Sequence, residues 1–178
     1  MTPTSLRTHM CGDLRESDIG QRVSLCGWVG RRREHGEHLA FVDLRDHTGI
    51  TQCVIDNGAD VRSEYVVRIT GVVRARPEGT VNDGLATGGV EVGECTVEIL
   101  NIAEPPPFPV DARADDVDEA VRLKYRYIDI RRERMQKNLR VRAAVNSAIR
   151  REMEKNGFLE VETPFLMPST PEGAREFL

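Results

Sequence analysis

Long hydrophobic runs are absent from this 178-residue sequence. No stretch approaches the roughly 18 consecutive apolar residues that a membrane-spanning helix needs, so we expect no membrane partner. The first ten residues contain no apolar core of the kind found in secretory signal peptides, and we therefore expect a cytoplasmic protein. With 39% hydrophobic and 30% charged residues, the composition is that of a globular chain.

Cysteine is scarce and widely spaced. The four cysteines are Cys11, Cys26, Cys53 and Cys95, and no two of them form a CxxC pair. The sequence therefore offers no zinc-binding motif, and we expect no metal ligands among them. In a reducing compartment they are free thiols, and we expect Cys26 and Cys53 to pack within strands.

The familiar catalytic motifs are also missing. The sequence contains no GxSxG, no Walker loop and no HExxH. Glu160 and Glu162 alternate on a predicted strand, which is one way to pair carboxylates for acid–base chemistry. No neighbouring residue supports that role, so we interpret the two glutamates as a solvated strand face.

Lysine is rare, since the 25 basic residues include 22 arginines. Arginine is suited to planar, bidentate recognition of phosphates and base edges, although genome composition is an alternative explanation. A net charge of −4 excludes a uniformly basic nucleic-acid coat but leaves room for a local basic patch.

Five segments in the first part of the chain have the composition of β-strands. They alternate apolar and polar residues and are separated by turn residues. The segments are Val23–Val29, Leu39–Leu44, Ile50–Ile55, Tyr65–Arg74 and Val90–Leu100. Gly71 lies inside the fourth and predicts a bend or bulge. Five short strands predict a small barrel or sandwich.

The second part of the chain is predicted to be helical. The stretch Glu104–Pro109 contains four prolines and indicates a stiff connector. Apolar residues between Val141 and Met153 recur at helical spacing, and Asn156–Gly157 predicts the helix end. Phe158–Thr163 is interpreted as a strand stopped by Pro164. One helix and one strand do not close a core, so we expect either a longer protein or a partner chain.

The strands carry residue types that suit single-stranded nucleic acid. We interpret Arg31–Arg33 as a basic loop after the first strand, with Phe41 and Gln52 on the next two strands. Arginine neutralises phosphates, an aromatic ring stacks on a base, and an amide hydrogen-bonds a base edge. A solvated turn and a core phenylalanine are the alternative interpretation of the same residues.

A second basic segment follows the fourth strand. Arg74 and Arg76 alternate along the chain, so we expect them to share one face of the strand. The polar loop Gly79–Gly84 comes next. It is either a grip on a nucleic-acid backbone or a hairpin without a ligand.

Three of these segments resemble the anticodon-binding OB-fold of class IIb aminoacyl-tRNA synthetases. They are Cys26–Arg33, Phe41–Asp46 and Gly49–Gln52. The resemblance implies a five-stranded OB barrel over residues 1–104, followed by a linker over residues 105–120.

Three later segments resemble the catalytic region of the same family. Leu123–Arg132 resembles the segment that opens the catalytic domain, and Gly157–Pro164 resembles motif 1. Thr170–Leu178 resembles bacterial-type aspartyl-tRNA synthetases in particular. Residues 121–178 would thus be the start, one helix and one strand, of an α+β class II catalytic domain.

The resemblance implies a role for individual barrel residues. Phe41 would stack on the central uridine of the anticodon, and Gln52 would read an edge of that base with the help of Arg33. Glu91 would help select the first or last anticodon base. The remaining anticodon-loop contacts would come from Arg74, Arg76 and Asn82.

Other positions bear on assembly and specificity. By resemblance, Pro164 would lie at a homodimer interface and Glu172 would hold the ammonium group of aspartate. His35 and Gly79 match members that charge both tRNA(Asp) and tRNA(Asn), which implies relaxed reading of the last anticodon base. A solvent-exposed loop histidine is the alternative for His35.

The implied activity is ATP-dependent attachment of aspartate to tRNA(Asp) and tRNA(Asn) by the full-length homodimer. ATP and Mg²⁺ would serve that enzyme, whereas the present residues lack motifs 2 and 3. We therefore expect them to bind tRNA without activating aspartate and without binding either cofactor. The alternatives are a free-standing OB-fold RNA-binding protein and part of an asparaginyl-tRNA synthetase.

Overall fold

Five β-strands close into a barrel in the first part of the chain. The computed structural model describes residues 6–56 and 59–164. The strands are β1 (Arg22–His35), β2 (Leu39–Arg45), β3 (Ile50–Asp56), β4 (Val66–Ala75) and β5 (Val90–Asn101). Their order around the barrel is β1-β2-β3-β5-β4, and only β3 and β5 pair in parallel. The prediction of a five-stranded OB-type barrel is confirmed.

Alternation of apolar and polar residues along the strands fills the barrel interior. Inward-facing side chains such as Leu25 on β1, Leu44 on β2 and Ile69 on β4 are almost completely buried. Burying one such side chain is worth about 1.5–3 kcal/mol. Cys53 belongs to this cluster and Cys26 lies in β1, so the prediction that both pack within strands holds.

Close strand contacts and bulges give the sheet its curvature. The pairing of β4 with β5 shifts register between Thr70 and Val72, which confirms the bulge predicted at Gly71. A Cβ atom on Gly71 would lie 2.4 Å from the Gly93 carbonyl oxygen, so only glycine fits. The extra residue of a bulge strengthens the local twist that a closed barrel requires.

Strand β1 is longer than the sequence predicts. It continues through Arg31–Arg33 to His35 and pairs with β2 up to Leu39. The interpretation of Arg31–Arg33 as a loop, and of His35 as a loop residue, is therefore wrong. A register shift between Val29 and Arg32 lets this charged half of β1 stay in the sheet.

The segment before β1 is fastened to the barrel by one carboxylate. Asp46 Oδ2 accepts a hydrogen bond from the Cys11 backbone N–H at 2.7 Å, and Oδ1 accepts from the Thr48 N–H at 2.8 Å. Burial of Asp46 opposes its charged form, but these hydrogen bonds outweigh it and lower the pKa of Asp46. Leu14 and Cys11 are thereby held in the core.

The second compact unit begins at Pro107, and three α-helices lie among its described residues. They are α1 (Glu119–Lys124), α2 (Arg126–Asp129) and α3 (Glu133–Lys155). Phe108, Val110 and Ile128 form its small buried cluster. None of the helices in the described ranges has the length and apolar character needed to cross a membrane.

Helix α3 ends where the sequence predicts. Gly157 has a φ of +84°, and its N–H bonds the Glu154 carbonyl while the Phe158 N–H bonds the Met153 carbonyl. This is a Schellman motif, in which glycine takes the left-handed position. The predicted strand at Phe158–Thr163 is wrong, because these residues form no regular element. A strand needs a hydrogen-bonding neighbour, and the described residues supply none here.

Candidate nucleic-acid interface

One polar side chain from each of the five strands joins a continuous hydrogen-bonded row, which we call the polar row. Its members are Arg33 on β1, Asp43 on β2, Gln52 on β3, Glu91 on β5 and Arg74 on β4. The barrel order places these strands side by side, so residues distant in sequence meet on one surface.

The centre of the polar row is the Gln52 amide. Arg33 Nη2 donates to Gln52 Oε1 at 3.1 Å, and Gln52 Nε2 donates to Glu91 Oε2 at 2.8 Å. Because a cation lies on the oxygen side and an anion on the nitrogen side, the amide is held in one orientation. Gln52 is 8% exposed, and its amide oxygen and nitrogen each use one of their two hydrogen-bonding positions in these contacts.

Both ends of the polar row are closed by ion pairs. Asp43 Oδ1 lies 2.8 Å from Arg33 Nη2, and Glu91 Oε1 lies 2.8 Å from Arg74 Nη2. Glu91 is 2% exposed while the Arg74 side chain is 52% exposed. Because Glu91 is buried and Arg74 is half-exposed, this ion pair holds the Arg74 guanidinium at the surface of the barrel.

An aromatic side chain stands beside the polar row. Phe41 is half-buried on the same face of β2 as Asp43, opposite Arg33 on β1 and Val54 on β3. The ring of His35 meets Phe41 edge to face, with centroids 5.4 Å apart. A partly open aromatic ring next to fixed polar groups has the composition of a base-stacking platform.

Arg76 does not lie on the same strand as Arg74, contrary to the alternation along one strand expected from the sequence. Strand β4 ends at Ala75, so Arg76 lies in the following turn. Its side chain is buried, and Nε donates to the Val90 carbonyl at 3.1 Å. In this structure Arg76 fastens the loop between β4 and β5 to the barrel.

That loop carries the two other predicted positions on the barrel. Gly79 has a φ of +79°, and the Thr80 N–H closes a turn on the Pro77 carbonyl at 3.0 Å. Asn82 is exposed, and its Oδ1 accepts from the Gly84 N–H at 3.1 Å. Asn82 therefore keeps its amide N–H groups for an outside partner, while the loop itself is held by backbone bonds.

Of the two predicted site residues in the second unit, the structure describes one. Pro164 is the last described residue and is exposed. Glu172 lies outside the described residues. Residues 6–56 and 59–164 contain no group of three or more histidines, cysteines, aspartates or glutamates positioned to bind a metal.

The thiols lie in the barrel rather than at the interface. Burial raises the pKa of Cys11 and of Cys26. A hydrogen bond from Cys53 lowers the pKa of Cys95, while the same contact together with burial raises the pKa of Cys53. The two buried thiols with a raised pKa, Cys11 and Cys53, therefore act as packing groups and not as nucleophiles.

Asp43 is the member of the polar row that sequence reasoning did not assign to the site. It lies two residues after Phe41, so the period-two alternation of β2 places both on one face. The two-residue spacing between Phe41 and Asp43 is therefore the sequence feature from which Asp43 could have been assigned to the site. The contact of Asp43 with Arg33 depends on the register of β1 against β2, which the sequence does not specify.

Comparison with protein families finds two matches. The model described as an OB-fold nucleic acid binding domain matches residues 23–99. The model described as tRNA synthetases class II (D, K and N) matches residues 118–178. The two matches follow each other without overlap.

Solved structures similar to this chain include synthetases of two specificities. Asparaginyl-tRNA synthetase from Pyrococcus horikoshii, complexed with asparaginyl-adenylate, is 25% identical with a TM-score of 0.78 over 93% of this chain. Aspartyl tRNA synthetase from Entamoeba histolytica is 18% identical with a TM-score of 0.80 over 95%, a similarity that shows the fold alone. The chain spans 38% and 42% of these two structures, respectively.

Proposed function

We propose that the chain is part of a class II tRNA synthetase of the D, K and N group, and that its polar row and Phe41 read the anticodon of tRNA(Asp). The proposal is supported by the match of residues 118–178 to that synthetase family and of residues 23–99 to an OB-fold nucleic acid binding domain. The observation that carries the proposal is the fixed Gln52 amide beside a half-buried aromatic ring. Splayed bases in RNA loops are recognised by stacking together with hydrogen bonds to their edges.

Each candidate residue has a part in this proposal. Phe41 stacks on the central base, and Gln52, oriented by Arg33 and Glu91, bonds its edge. Glu91 also helps to select the first or last anticodon base. The half-exposed Arg74 and the exposed Asn82 contact the anticodon loop, and Arg76 holds the loop that carries Gly79 and Asn82.

We further propose that the whole protein is a cytoplasmic homodimer that joins aspartate to tRNA with ATP and Mg²⁺. In that enzyme Glu172 holds the aspartate ammonium group and Pro164 lies at the subunit interface. His35 and Gly79 favour acceptance of tRNA(Asn) as well as tRNA(Asp). The segment Thr170–Leu178 supports aspartate as the amino acid, through its resemblance to bacterial-type aspartyl-tRNA synthetases.

A second candidate is asparagine as the amino acid. It is favoured by the 25% identity with the asparaginyl enzyme of Pyrococcus horikoshii. The two candidates differ in the adenylate that the whole protein forms. Amino-acid-dependent exchange of pyrophosphate into ATP, measured on the full-length gene product with each amino acid, separates them.

Nucleotide footprinting tests the role of the barrel. The 178-residue protein should protect the three anticodon nucleotides of tRNA(Asp) from chemical probes and leave the acceptor end reactive. Gln52→Ala should restore reactivity of the central nucleotide, while Gln21→Ala, on an exposed side chain that bonds only Ser17 and Asp18, should not. Protection elsewhere on the tRNA, without protection of the anticodon, would contradict the proposal.

A further inference from the structure

We propose that Asp43 is a positioning residue that locks the orientation of the Gln52 amide through Arg33, and that this lock discriminates uracil from cytosine at the central anticodon position. The inference rests on the proposed function of the barrel. It assigns a role to a carboxylate that stacking and base-edge contacts alone do not require.

The first step is the contact between Asp43 and Arg33. Asp43 Oδ1 lies 2.8 Å from Arg33 Nη2, and the same Nη2 donates to Gln52 Oε1 at 3.1 Å. Asp43 also lies directly opposite Gln52 in the pairing of β2 with β3. One guanidinium nitrogen is therefore shared between a carboxylate and the amide oxygen.

The second step is the polarity of the amide. With Arg33 at its oxygen and Glu91 at its nitrogen, a reversed amide would face N–H groups toward a guanidinium and oxygen toward a carboxylate. Both contacts would then be repulsive, so the two flanking charges select one orientation. Asp43 keeps the Arg33 guanidinium on the oxygen side, since the Arg33 side chain is 42% exposed and Asp43 is the carboxylate that pairs with it.

The third step is the chemistry of the two pyrimidines. Uracil presents a carbonyl acceptor next to an N–H donor, whereas cytosine presents an amino donor next to a ring-nitrogen acceptor. A primary amide complements either edge, but the two edges require opposite amide orientations. A locked amide therefore favours one pyrimidine, and a free amide accepts both.

The test measures binding of the 178-residue protein to two anticodon stem-loops that differ only in uridine or cytidine at the central position. The wild-type protein should prefer uridine by about tenfold or more, as expected for one well-placed bidentate base contact. Asp43→Asn, which keeps the shape but removes the charge, should reduce that preference to within about twofold. Asp60→Asn is the matched control, because Asp60 forms an exposed ion pair with Arg62, at 3.2 Å, away from the row.

A double-mutant cycle shows whether Asp43 acts through Arg33. Arg33→Gln should lose the preference by itself, and adding Asp43→Asn should then change nothing further. A purely structural role would lower affinity for both stem-loops and leave their ratio intact. If Asp43→Asn does not fold, Asp43→Ser replaces it in both measurements, because it also removes the carboxylate.

Three results would overturn the inference. An Asp43→Asn protein with the wild-type preference would remove Asp43 from specificity while leaving the anticodon function in place. An equal loss with and without Arg33 would show that Asp43 does not act through it. A wild-type protein that binds neither stem-loop would overturn the proposed function itself, and this inference with it.

Discussion

The barrel buries its apolar side chains, whereas helix α3 leaves its own exposed. Ile69 in β4 is 1% exposed, whereas Ile149 in α3 is 53% exposed. The barrel encloses its apolar residues because strand closure surrounds them on every side. Helix α3 has no buried residue, so capping and backbone hydrogen bonds within the helix hold it together.

The same contrast separates the two sets of candidate site residues. Those on the barrel are held by neighbours on adjacent strands, as Gln52 is held between Arg33 and Glu91. The described candidate of the second unit, Pro164, lies beyond the last helix in an exposed segment. A closed sheet can therefore preorganise a binding surface, whereas helix α3 has no buried residue to do so.

The largest predicted difference comes from making the same substitution, isoleucine to alanine, in each of the two regions. Ile69→Ala should lower the free energy of unfolding of the barrel by about 2–5 kcal/mol, because it leaves a cavity in a closed core. Ile149→Ala should change stability by less than about 0.5 kcal/mol, because the side chain is already hydrated. Urea unfolding followed by Trp28 fluorescence for the barrel and by helical circular dichroism for α3 measures both. Similar losses at both positions would contradict the comparison.

Substitution of Asp46, which fastens the N-terminal segment, should lower the free energy of unfolding nearly as much as Ile69→Ala does. Asp46→Asn should cost about 1–3 kcal/mol at neutral pH, because buried backbone N–H groups lose a charged acceptor. The pKa of Asp46 is lowered by folding, so its contribution is present above the unfolded value of about 3.9 and is lost as pH falls through the folded value.

Urea titrations of both proteins across that pH range provide the check. The gap in unfolding free energy between wild type and Asp46→Asn should narrow as the pH drops below about 4. Asp13→Asn, at an exposed position of the same segment, is the control. A gap that is independent of pH would mean that Asp46 acts through packing and not through its charge.

Substitution of Phe41 should weaken anticodon stem-loop binding more than it lowers the stability of the fold. Phe41→Ala should weaken anticodon stem-loop binding by about 1–3 kcal/mol, the usual value of one base–aromatic stack. Its melting temperature should stay nearly unchanged, because Phe41 is half-buried on the outer face of β2. Calorimetric titration and thermal unfolding of the same samples distinguish the two effects. A large fall in melting temperature would mean that Phe41 is a core residue.

The smallest expected effect is that of a substitution at His35, whose ring contacts Phe41. His35→Leu should reduce binding of the tRNA(Asn) anticodon relative to that of tRNA(Asp), by a few-fold at most. His35 touches Phe41 edge to face, so a bulkier apolar group there alters the space for the neighbouring base. Paired titrations give the ratio, and an unchanged ratio would exclude His35 from the specificity.

Local patterns in the sequence predict most of the fold. Period-two alternation locates all five strands, Gly71 marks the bulge, and Asn156–Gly157 marks the end of α3. These features depend on neighbours within a few residues, which is why the sequence alone indicates them.

Features that depend on distant partners could not be predicted in the same way. Arg31–Arg33 stays in β1 because β2 pairs with it, although three arginines alone are typical of a solvated turn. Phe158–Thr163 has strand-like alternation but no neighbouring strand among the described residues. Arg76 is buried because the loop after it returns to Val90. The polar row requires the register of all five strands at once.

The central claim is that this barrel reads an anticodon. The most direct test is titration of the 178-residue protein with tRNA(Asp), tRNA(Asn) and an unrelated tRNA at one fixed salt concentration, since phosphate contacts make affinity strongly salt-dependent. We predict binding of tRNA(Asp) and tRNA(Asn), with much weaker binding of the third. Equal binding of all three would contradict the claim and leave a general RNA-binding barrel.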